Sequence, residues 1–137
     1  MNKNSAIASL LLASVAIGSA GHATLNVTPA IAQIVISEEF HVALEPYGSW
    51  QHSTRWGEVW IPAQVSPDWR PYTLGHWVYA SDYGWYWASA AEEAGWGLIT
   101  YDYGRWVEDD NFGWMWVPGT QWGPGWVQWR RGGGYVG

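Results

Sequence analysis

Tyr79, Trp85, Glu108 and Trp114 are the residues whose types and spacing point most directly to binding chemistry. Indole and phenol faces stack on the C–H faces of a pyranose, while a carboxylate accepts hydrogen bonds from its hydroxyls. The same aromatic faces attract quaternary ammonium groups. These four side chains are expected to form an aromatic and carboxylate rim. The competing reading is that Trp85 and Trp114 only widen an apolar core, where large aromatics usually go. Other chemistry is sparser. Glu92 and Glu93 beside Trp96 form a tempting pair for glycoside hydrolysis, yet adjacent carboxylates cannot flank one bond from both sides. The acidic run "EDDN" at residues 108–111 lacks the ligand rhythm of an EF-hand and reads as a solvated turn. His41, His52 and His76 show no metal-ligand spacing. No nucleophile, base and oxyanion set stands out, and "RRGGGYVG" has no Walker lysine. No catalytic residue, metal or cofactor is therefore expected.

The elements that must position the rim follow from a repeat. "GSWQHSTRWGEVWIP", "GHWVYASDYGWYWAS" and "GRWVEDDNFGWMWVP" align on Gly-x-Trp at Trp50, Trp77 and Trp106. An aromatic and a glycine recur at Trp56-Gly57, Tyr83-Gly84 and Phe112-Gly113, and a second tryptophan at Trp60, Trp87 and Trp116. Each unit reads as a β-hairpin, with the second glycine at the exit of a polar turn. Pro62 and Pro118 close the second strand. A third extended piece is expected at Trp69, Trp96 and Trp126, and an N-terminal strand in "QIVISEEFHVAL". The glycines of "GGGYVG" read as the opening of a fourth unit that the chain does not complete.

Side-chain alternation sorts the aromatics. The six tryptophans kept in all three units are expected in a shared core. The rim candidates occupy positions that vary between units: Glu58, Trp85 and Trp114 at one, His52, Tyr79 and Glu108 at the other. The opposite face is mixed, which implies two packed layers or a partly closed barrel. Sequence neighbours such as Arg55-Trp56 and Arg105-Trp106 point to opposite faces on a strand. These arginines are expected to be solvated, with stacking only across strands.

Of 137 residues 14 are Trp and none is Cys, and the formal charge is -6. Disulfides and thiolate metal sites are excluded, and an acidic domain without a basic stripe makes nucleic acid an unfavourable partner. Residues 1–32 read as a signal peptide: Lys3 is followed by an apolar run too short to span a bilayer, and Ala30-Ile31-Ala32 offers a cleavage motif. Residues 33–137 form the expected all-β domain, with no membrane span after leader removal.

The stretches "PYGSW", "VWIPAQVSPDWRPYTLGHWVY", "YGRW", "WMWVPG" and "WRRGGGYVG" resemble a bacterial family of exported Trp/Gly-repeat proteins known only as a domain of unknown function. The resemblance covers residues 33–137 and implies a secreted or periplasmic protein. Some relatives carry an additional FecR-like domain. The chain departs from it at "ASAAEEAGWGLITY", where relatives have a shorter acidic-proline turn. The expected function is a non-enzymatic envelope module that binds cell-wall glycan or an envelope protein through the rim. A purely structural envelope protein is the alternative, and a glycan-acting enzyme the third reading.

Overall fold

The computed structural model describes residues 28–129, 131–133 and 135–136. The expected leader lies outside the described residues up to residue 27. Contacts divide the chain after Ile36, and the described strands all lie in the second unit, Ser37–Gly137.

The first element is a helix, α1 (Pro29–Leu44), and this corrects the expected N-terminal strand. The run Ile34-Val35-Ile36 carries strand propensity, but tertiary contacts override it. Pro29 suits the first helical position, where its missing N–H costs nothing. Phe40 and Leu44, four residues apart on one helix face, are both buried. The helix end is satisfied from the side. The indole N–H of Trp60 donates to the Leu44 carbonyl at 3.1 Å, and that of Trp50 to the His41 carbonyl at 3.3 Å. Both carbonyls lie in the last turn of the helix, where groups outside the helix commonly supply donors.

Three hairpins follow: β1 (Gly48–Ser53) with β2 (Gly57–Pro62), β3 (Gly75–Ala80) with β4 (Gly84–Ser89), and β5 (Tyr103–Asp109) with β6 (Gly113–Trp122). The repeat is the hairpin. Trp50 faces Trp60, Trp77 faces Trp87 and Trp106 faces Trp116 across the strands. The turn-exit glycines all have positive φ, 75°, 81° and 69° at Gly57, Gly84 and Gly113. The opening glycines have a further cause, beyond the positive φ of Gly75 and Gly104. A Cβ on Gly48, Gly75 or Gly104 would collide with a cross-strand carbonyl. It would also come within 2.6, 2.7 and 2.9 Å of the indoles of Trp60, Trp87 and Trp116. Each second tryptophan lies across its own repeat's first glycine.

The first and third hairpins fuse. β2 pairs antiparallel with β6 at Trp60 and Trp116, giving the order β1-β2-β6-β5, while β3 and β4 form a sheet of their own. The four-stranded sheet ends in β1 and β5 without closing, so the fold is all-β with two antiparallel sheets rather than a barrel. The third extended pieces are not strands. Trp69 and Trp126 lie in irregular segments, and Trp96 sits on the short helix α2 (Ala94–Thr100). At the C-terminus a small ladder pairs β7 (Arg131–Gly132) with β8 (Tyr135–Val136).

The core is a continuous network of rings. Trp60, Trp69 and Trp96 surround Trp106, each with centroids 5.2 to 6.3 Å from it. Tyr101 connects this group to the middle hairpin, touching Trp106 at 6.2 Å, Trp87 at 6.0 Å and Tyr72 at 4.7 Å. Most pairs are tilted or edge-to-face, the arrangement the ring quadrupole favours. Tyr72 is held at φ 61°, a left-handed conformation unfavourable for a large side chain by about 1–2 kcal/mol. Its ring stacks on Trp77 at 5.6 Å, and its hydroxyl accepts the Trp126 backbone N–H at 3.1 Å.

Candidate functional site

The repeat register places the four rim candidates as two cross-strand pairs. Tyr79 faces Trp85 on β3–β4, and Glu108 faces Trp114 on β5–β6. Both pairs lie one step nearer the turn than the core tryptophans, as the alternation predicts. Their surroundings differ. Tyr79 and Trp85 are 64% and 53% exposed, with rings edge-to-face at 5.5 Å. Glu108 and Trp114 instead line a cleft of about 440 Å³, and neither Tyr79 nor Trp85 borders it. The structure gathers the candidates two by two, not into one groove.

The cleft has two walls. Glu108, Phe112, Gly113 and Trp114 come from the third hairpin, and the irregular segment after β2 supplies Val65, Asp68, Trp69 and Arg70. Phe112, the residue before the turn glycine, is exposed at its lip. Trp69 is buried and forms the floor. Asp68 is held below the usual carboxylate range, first by a hydrogen bond with the Ser66 side chain, then by its own backbone N–H and by Arg70. It therefore remains an ionised acceptor. Sequence reasoning did not single out Asp68 and Arg70. The available signal was their position on either side of a tryptophan in "PDWRP".

Beneath the floor lies the carboxylate that looked most like a catalytic acid. Glu93 is buried, and both of its oxygens are committed. The Trp69 indole N–H donates to Oε1 at 2.7 Å, and the Tyr101 hydroxyl donates to Oε2 at 2.7 Å. Burial pushes the carboxyl up, and the two hydrogen bonds oppose that shift. Burial and the adjacent carboxylate raise the Tyr101 hydroxyl as well, so it stays a donor. Glu93 thus fixes the cleft floor from behind instead of facing a ligand. Its neighbour Glu92 is exposed, and the two share no groove.

The remaining polar candidates have structural contacts. His41 stacks on Trp50 at 4.4 Å and lies 3.5 Å from the Glu58 carboxylate. Asp109 accepts the Asn111 backbone N–H at 2.9 Å, a local turn bond in the acidic run. Among the described residues no cluster of three or more His, Asp or Glu could hold a metal ion. No described helix is long and apolar enough to cross a membrane.

Comparison with known proteins adds a family and no activity. A family model described as a family of unknown function, DUF6600, matches residues 41–137. No curated protein and no solved structure matches the chain.

Proposed function

The chain belongs to DUF6600, a family of unknown function, and from that premise we propose that it is a non-enzymatic exported module that binds envelope glycan in the cleft. The carrying observation is the convergence of Trp114 and Glu108 opposite Asp68 and Arg70 around about 440 Å³. An indole wall with carboxylate acceptors and a guanidinium donor matches what a sugar ring offers, apolar C–H faces with hydroxyls at the edge. The lowered Asp68 is an ionised acceptor suited to sugar hydroxyls. Export rests on the leader pattern of residues 1–32.

The test is co-sedimentation of the chain with insoluble cell-wall glycan, beside Trp114→Ala and Glu108→Gln. The wild type is expected to pellet and both variants to remain in solution while folded. Equal pelleting of all three would refute the cleft. The exposed Tyr79–Trp85 pair favours a second reading, contact with an envelope protein. A Tyr79→Ala/Trp85→Ala variant that keeps glycan binding but loses a crosslinked envelope partner would support it.

A further inference from the structure

The face of the four-stranded sheet turned away from the tryptophan network carries chemistry the cleft does not use. The registers set Gln51, Val59, Val117 and Arg105 side by side on β1, β2, β6 and β5. Trp56, from the turn of the first hairpin, packs over the buried cluster of Val59, Met115 and Val117 on this face. Two guanidiniums stack on its ring. The Arg55 Cζ lies 4.7 Å from the centroid and the Arg105 Cζ 5.3 Å.

This corrects the expectation for Arg55 and Trp56, whereas Arg105 and Trp106 point to opposite faces and Arg105 stacks across strands as expected. Arg55 and Trp56 sit in a turn, where strand alternation does not apply. Arg105 reaches the same indole from the third repeat, brought there only because β2 and β6 are joined. The corresponding residues of the other repeats are different: Asp82 and Asn111 stand where Arg55 does, and Ser49 and His76 where Arg105 does. The arrangement is particular to this one face.

Among the described residues neither guanidinium is ion-paired to a carboxylate; the ion pair found there joins His41 and Glu58. By their distances from one ring, the two carbons are no more than about 10 Å apart. A guanidinium over an aromatic face can still present N–H donors from its edge. Two exposed guanidiniums beside one indole, with no carboxylate paired to them among the described residues, give a local attraction for an anion on a protein of net charge -6. The overall negative charge disfavours a densely charged polyanion and suits a ligand whose anionic groups are isolated.

We propose that Arg55, Trp56 and Arg105 bind a single oxyanion carried on a saccharide, either a uronate carboxylate or a phosphate ester, with the sugar body against the indole edge. This site is separate from the cleft and does not depend on it. The experiment is an NMR titration of the full chain, following the Trp56 indole N–H and the Arg55 and Arg105 Nε–H signals. Trp56→Phe identifies the indole resonance. Inorganic phosphate and glucuronate are added separately at constant ionic strength.

The expected result is a saturable shift with a Kd of about 1–10 mM, the scale a few charge-assisted hydrogen bonds support. It should weaken at least about tenfold in Arg55→Gln/Arg105→Gln and stay unchanged in Trp114→Ala. Saturation by phosphate alone identifies a phosphate ester, and by glucuronate alone a uronate. Non-saturable shifts with both anions, or undiminished binding in the double arginine variant, would overturn the proposal. Both arginines are exposed, and the dispersion of the remaining resonances reports whether the variant is folded.

Discussion

The fused hairpins and the middle hairpin obey the same ruler and end in different environments. In the four-stranded sheet the second-strand tryptophans, Trp60 and Trp116, are fully buried, and each indole N–H has a carbonyl partner. Trp60 donates to Leu44 at 3.1 Å and Trp116 to Tyr103 at 2.8 Å. At the equivalent place in the middle hairpin Trp87 is buried too, but its indole nitrogen has no partner among the described residues. The rim pair of the middle hairpin is open, whereas that of the third hairpin borders a cleft. A repeat thus dictates local geometry, while the neighbours of each copy decide whether the same side chain becomes a strut, an unsatisfied donor or an exposed platform.

The sharpest way to break this comparison is truncation. Trp116→Ala removes a fully buried indole at the joint of the two hairpins and should cost about 3–5 kcal/mol in denaturant unfolding. Trp85→Ala, on an exposed rim, should stay within about 0.5 kcal/mol. Similar losses for both would mean that the middle hairpin is packed as tightly as the fused pair. A finer contrast uses phenylalanine. Trp60→Phe and Trp116→Phe each strand a carbonyl that now accepts a bond, whereas Trp87→Phe deletes an unpaired donor. The first two should therefore be worse by about 1–2 kcal/mol. Equal costs would show that Trp87 is not the odd member of the set.

The smallest effect concerns the clamp between the two regions. Glu93 is raised above its ordinary value of 4.5 when folded, chiefly by burial. The folded chain therefore holds this proton more tightly than the unfolded one. The resulting stability is full below the ordinary value and is lost as pH rises through the folded value. Urea midpoints should fall as pH rises above the ordinary value of 4.5, and Glu93→Gln should flatten that component. An unchanged slope in the variant would assign the pH dependence to other groups.

The hairpins were legible because a hairpin is local: strand length, turn and both glycine positions lie within one short stretch. The rim pairs followed from the same alternation, and so did their closeness to the turns. What failed needed contacts distant in sequence. α1 shows strand-forming residues overruled by the burial of Phe40 and Leu44. The segment "AGWGLIT" became a helix under Trp96, although its counterparts around Trp69 and Trp126 are irregular. The pairing of β2 with β6 past an intervening hairpin has no signature in either strand. Asp68, Arg70 and the stack on Trp56 depend on that pairing or on a loop, so no periodicity could announce them.

The joining of β2 to β6 also sets an order of events. As the chain emerges, the first hairpin can close at once, but its β2 edge has no strand partner until residues 113–122 exist. The middle hairpin is made during that wait and could capture the edge in the wrong register, since it carries the same Gly-x-Trp spacing. Loop closure over that distance slows folding. Pulsed hydrogen exchange should find β1–β2 amides gaining full protection no earlier than those of β5–β6.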